Sequence, residues 1–117
     1  MRPHYKLEAW KNAMDLVDDI YSVSKNFPSE EKFGLTSQMR RAAVSVPSNL
    51  AEGAARKSKK EFANFVNIAK GSLSELETQL LISKRQNYVD DISNLLDLIG
   101  KVSSQLSGLH NYLSNNN

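Results

Sequence analysis

Apolar residues return every three or four positions along almost the whole chain, which is the period of an amphipathic helix and not the alternation of a strand. Leu7, Trp10, Met14, Val17, Ile20, Tyr21 and Phe27 predict a first helix, with Lys11, Asp15, Asp18 and Asp19 on its solvated side. Pro28 ends it, because a proline disfavours helical geometry in the residue before it. Ser29-Glu30-Glu31 offers a cap with acids in the following turn, so a second helix is expected to start between Ser29 and Leu35. Ser58-Lys59-Lys60-Glu61 fits a capping box and opens a third helix. That helix runs through Phe62, Phe65, Val66, Ala69, Leu73, Leu76, Leu80 and Ser83 for about six turns and ends near Asn87. Gly71 interrupts its good helix formers, which predicts a close approach by a neighbouring helix there. After a turn at residues 87–91 with an aspartate as cap, Ile92, Leu95, Leu96, Ile99, Val102, Leu106, Leu109 and Leu113 mark a fourth helix. Asn115 to Asn117 are expected to fray. Four helices with short connections predict an all-α, antiparallel up-and-down four-helix bundle, a single domain over residues 1–117.

The second helix carries three strips. Leu35, Met39, Ala42, Val46, Leu50 and Gly53 form a core side, while Arg41, Ser45, Ser48, Glu52 and Arg56 share a polar face within about 80° of the helical wheel. Between them lie Val44, Pro47, Ala51 and Ala55, small and apolar, with Arg40 at their edge. The helix is therefore apolar over more of its circumference than one core requires, and the extra strip is expected to join another subunit. Pro47 removes a backbone hydrogen bond at a cost of about 3 kcal/mol in a helix interior. Ser48-Asn49 offers a cap for a fresh helix after a break, but unbroken apolar spacing across Val46 and Leu50 favours a continuous helix kinked at Pro47.

Composition narrows the classes of function. The chain has 117 residues, 40% hydrophobic and 24% charged, which suits one globular core. It has no cysteine, so disulfides, thiolate nucleophiles and cysteine-ligated metals are excluded. The N-terminus has scattered charges and no signal-peptide core, and apolar residues never run for the roughly 18 positions a membrane span needs. These features predict a soluble, cytoplasmic protein.

Charge is segregated along the chain. Between Lys32 and Lys60 seven basic residues (Lys32, Arg40, Arg41, Arg56, Lys57, Lys59 and Lys60) face one acid, Glu52. That segment is +6, leaving −4 for the rest of a chain whose formal net charge is +2. Enzyme chemistry finds little support. His4 and His110 have no partner at metal-ligand spacing, Glu75 and Glu77 point in different directions on a helix, and no serine lies in a nucleophile turn. The five glycines form no phosphate loop. No cofactor or metal is expected. What remains is the basic set, above all Arg56, Lys57, Lys59 and Lys60 around a helix junction, where cationic side chains and capping N–H groups can meet phosphates. The plainer reading is a solvated turn. Repetition around a symmetric oligomer favours binding of RNA or DNA led by phosphates and shape. Phe62 and Phe65 are assigned to the core by their spacing and not to base stacking.

The stretches LEAWKNAMDLV (residues 7–17), FPSEEKFGLTSQMRRAAVSVPSNLAEGAAR (27–56), Glu61-Phe62 and IAKGSLSELETQL (68–80) closely resemble the 23S rRNA intervening-sequence protein family. The resemblance covers nearly the whole chain and implies a small four-helix bundle. The same bundle is similar to accessory proteins of diversity-generating retroelements, whose pentameric barrels engage nucleic acid and a reverse transcriptase. On that analogy the chain is a homo-oligomer, a pentamer, and a nucleic-acid role falls to Arg40, Arg41, Arg56, Lys57, Lys59 and Lys60. The alternative is a scaffold that presents its surface to another protein.

Overall fold

Four helices, α1 (Glu8–Ser24), α2 (Leu35–Ala54), α3 (Lys59–Arg85) and α4 (Ser93–Asn115), account for most of a computed structural model that describes residues 2–115. Asn116 and Asn117, part of the polar end expected to fray, lie outside the described residues. Helix α1 packs on α2 and α4, and α3 packs on the same two, while neither diagonal pair comes together. With short connections between consecutive helices this is an antiparallel bundle, 46 × 23 × 22 Å, with no strand among the described residues.

Local chemistry sets the helix boundaries. The N–H of Leu35, first in α2, donates to Glu31 Oε1 at 3.1 Å, so a side chain from the preceding 3₁₀ turn (Ser29–Glu31) caps the helix. Ser58 caps α3, its hydroxyl accepting from the Glu61 N–H at 3.1 Å and donating to the Glu61 carboxylate at 3.3 Å. The end of α3 is a Schellman motif. Asn87 takes φ 64°, and the N–H groups of Tyr88 and Asn87 donate to the carbonyls of Ser83 and Lys84. Asparagine tolerates this left-handed conformation better than most residues. Asp91 Oδ1 then accepts from the N–H and the hydroxyl of Ser93, starting α4.

The core is one cluster shared by all four helices, including Leu16 and Ile20 of α1, Met39, Val46 and Leu50 of α2, and Leu76 and Leu80 of α3. Each such side chain, fully buried, contributes roughly 1.5–3 kcal/mol. Helix α2 runs unbroken through Pro47, so the continuous reading holds over the break. Polar bridges set the helices against one another. Asn12 donates to Gln105 at 3.0 Å between α1 and α4, and Ser72 to Ser45 at 3.0 Å between α3 and α2.

Two expectations are corrected. On α1 the buried residues are Ala9, Ala13, Leu16, Ile20 and Ser24, whereas Met14 and Tyr21 stay about 40% exposed. Trp10, Met14, Val17 and Tyr21 form a second, less buried stripe beside Leu16 and Ile20, with Trp10 and Val17 still packed against the core. A second 3₁₀ turn, Pro3–Lys6, packs beside that stripe on α1 and α2, with His4 and Tyr5 against the ring of Trp10. The second correction concerns glycine. A side chain at Gly71 would meet nothing within 4 Å, but one at Gly53 would lie 2.7 Å from Phe65 Cβ. The close approach is therefore between α2 and α3 at Gly53.

Candidate functional site

The six basic residues singled out by sequence do not converge within one chain. Arg40 and Arg41 lie in the first half of α2, and Arg56, Lys57, Lys59 and Lys60 in the α2–α3 junction. At 1.5 Å per residue the two groups are roughly 20 Å apart along α2.

In the junction group all four side chains are exposed. Arg56 is committed twice. It donates to Glu52 Oε1 at 2.8 Å, and its guanidinium lies 4.9 Å over the Phe65 ring. Lys59 Nζ lies 5.2 Å over the ring of Tyr112 from α4. Lys57 and Lys60 make no ion pair among the described residues. Glu52, the single acid of the basic segment, pairs with Arg56, and Glu61 keeps its charge while bonded to the neutral Ser58 hydroxyl, so four cations face two acids and the junction stays net positive.

The other group borders a groove of about 590 Å³ between α1 and α2, lined among others by Tyr21, Lys32, Phe33, Thr36, Arg40 and Arg41. No acidic residue lines it. Arg40 is held in place, its Nε donating to Ser24 Oγ at 2.9 Å and its guanidinium 4.6 Å over the Tyr21 ring. Arg41 is exposed and without an ion pair among the described residues. On its far side it and Phe33 border a second groove that contains Glu75 and Gln79. Phe33 is 90% exposed, with Lys32 Nζ 5.5 Å over its ring. Sequence reading missed Phe33 and Tyr21 as site residues. Phe33 fits no helical core position, and a large apolar residue outside every periodic stripe is the signal that was available.

The extra strip of α2 is divided. Pro47 is buried by the chain itself, so the surface open to another subunit narrows to exposed Val44 and Ala55 and half-buried Ala51. Trp10, Met14 and Val17 of α1 share a groove of about 370 Å³ with Val44, Pro47 and Ala51. The apolar surface is therefore built by two helices and not by one. Among the described residues no group of three or more histidines, aspartates and glutamates is placed to hold a metal. His4, which has no partner at metal-ligand spacing in the sequence, is half-buried against the rings of Tyr5 and Trp10.

No described helix is long and apolar enough to cross a membrane. No curated protein matches the chain. The family model for the 23S rRNA-intervening sequence protein matches residues 5–108, from the N-terminal 3₁₀ turn into the last helix.

Proposed function

Since the chain belongs to the 23S rRNA-intervening sequence protein family, we propose that it is a non-enzymatic, homo-oligomeric bundle that binds RNA or DNA through its phosphates. The observation that carries this reading is the α2–α3 junction, where Lys57 and Lys60 stand exposed and four cations outnumber the two acids, Glu52 and Glu61. Lysines in that setting attract phosphates without reading base sequence. Self-association places copies of the junction and of the Arg40–Arg41 group on one particle, and displaced counterions then make modest attractions add up. The apolar surface of Met14, Val44 and Ala51 is the face that self-association would cover. The work of such a protein is done inside the cell, where its nucleic-acid partner is found.

Binding measured across a salt series tests this. The affinity falls steeply with salt, and replacing Arg56, Lys57, Lys59 and Lys60 with glutamine lowers the slope by up to about 0.9 for each duplex phosphate that the protein no longer neutralises. Binding that is absent or independent of salt defeats the reading. Light scattering tests the assembly, with a mass several-fold above the 13.1 kDa monomer expected.

A second reading, a scaffold for another protein, is favoured by Leu81 and Ile82, adjacent large apolar residues left exposed near the end of α3. A stable protein partner retained from nuclease-treated lysate, with no nucleic-acid binding by the purified chain, would select it.

A further inference from the structure

We infer that the groove between α1 and α2 binds an unpaired stretch of nucleic acid, with a base stacked on Phe33 and the adjoining phosphates held by Lys32, Arg40 and Arg41. This rests on the nucleic-acid reading above and names the form of nucleic acid and a second site for it.

The argument starts from Phe33. A phenylalanine 90% exposed in a 3₁₀-to-helix connection contributes nothing to this chain's core. Lys32 Nζ lies 5.5 Å over its ring, and Arg40 and Arg41 line the same acid-free groove, while Glu75 belongs to the neighbouring groove on the far side of Arg41. The nearest acid in sequence, Glu31, is turned elsewhere, one oxygen accepting from the Leu35 N–H and the other from the Tyr88 hydroxyl. An aromatic face flanked by cations is the arrangement that holds single strands, because every base has a π-face to stack and every link a phosphate to neutralise. A duplex hides its base faces in its own stack and must be unstacked at a cost before a ring can enter, so Phe33 is better suited to unpaired bases.

The groove is also prepared for such a ligand. Its volume of about 590 Å³ falls within the roughly 300–1,000 Å³ of small-ligand sites. Arg40 is fixed beforehand by Ser24 and Tyr21, so little freedom is lost when it meets a phosphate. Thr36, one of the lining residues, is buried, and its hydroxyl has no hydrogen-bond partner among the described residues. The apolar groove beside Trp10, by contrast, has no lysine or arginine in its lining.

The test compares oligothymidylate with a duplex of the same length, by fluorescence anisotropy at one low salt concentration. The proteins are the full chain, Phe33→Ala, Phe33→Trp and the double variant Lys57→Gln with Lys60→Gln. Phe33 is too exposed for its replacement to threaten folding. Phe33→Ala is expected to lose about fivefold or more in affinity for the single strand and to leave the duplex unaffected. Phe33→Trp keeps the affinity, and its indole fluorescence is quenched when the single strand binds. The junction variant weakens both ligands alike. The inference is overturned if Phe33→Ala binds the single strand normally, if it weakens both ligands equally, or if it lowers the particle mass in light scattering, which would place Phe33 between copies of the chain. Failure of the unmodified chain to bind either ligand overturns the nucleic-acid reading itself, and this inference with it.

Discussion

The hydroxyl of Tyr88, in the connection between α3 and α4, donates to Glu31 Oε2 at 2.9 Å, across 57 positions of sequence. The other oxygen of the same carboxylate accepts from the N–H that opens α2. One acid therefore ties the start of α2 to the far end of α3, and Tyr88 is further fixed by the ring of Phe27, 5.5 Å away.

This pair makes stability depend on alkaline pH. The hydrogen bond to Glu31, followed by partial burial and the negative charges of Glu31 and Glu30, raises the Tyr88 hydroxyl above its ordinary 10.0. The folded chain thus holds the phenolic proton more tightly than the unfolded one. The contribution is complete below pH 10 and is lost as pH rises through the folded value. Tyr88→Phe is expected to be less stable at neutral pH and to lose less on titration into the alkaline range, read by denaturant unfolding at a series of pH values. An identical alkaline decline in both proteins would contradict this.

Asp91 acts with the opposite sign. Hydrogen bonds from the N–H and then the hydroxyl of Ser93 hold its carboxyl below the usual aspartate value, with Lys84 adding to the effect. The unfolded chain binds that proton more readily, so the contribution is present above the ordinary aspartate value and is lost as pH falls through the folded one. Asp91→Ala should lower the melting temperature at neutral pH and merge with the parent chain in strong acid. A constant gap between the two across that range would show that the carboxylate is not the source.

Two glycines, both inside helices, are expected to respond to alanine in opposite directions. A Cβ at Gly53 would lie 2.7 Å from Phe65 Cβ and 2.8 Å from Phe62 Cδ1, so α2 and α3 must move apart. Gly53→Ala should cost roughly 1–3 kcal/mol, as overpacking does. Gly71 is exposed with open space around it, so Gly71→Ala should gain up to about 1 kcal/mol by restricting the unfolded chain. Unfolding free energies in urea decide both, and a gain at Gly53 would mean the helices are not closely packed there.

Periodicity made the helices legible because each is a local matter of turns, caps and breakers. Ser58 and Glu61 announced the start of α3, Pro28 the end of α1, and the turn at residues 87–91 an aspartate cap before α4, which the structure identifies as Asp91. The buried face of α1 was legible only in part, at Ile20. Its large residues Trp10, Met14 and Tyr21 outweighed Ala9 and Ala13 in any reading by hydrophobicity, yet the alanines face the core. Two apolar stripes on one helix look alike in sequence, and only the position of the neighbours decides which turns inward. Gly71 and Gly53 pose the same problem, since closeness to another helix is a property of the pair.

For the site, the sequence alone determined the separation of charge, the absence of thiol chemistry and the family to which the chain belongs, because these depend on residue identity and order. Tertiary structure decided the grouping. An unbroken α2 carries Arg40 and Arg41 in its first half and leads to Arg56 through Lys60 beyond its far end, so a segment that reads as one basic stretch becomes two surfaces. Packing also left Phe33 outside the core and set Tyr21 of α1 beside Arg40, closing a groove whose other lining residues, Lys32, Phe33, Arg40 and Arg41, share one side of the start of α2.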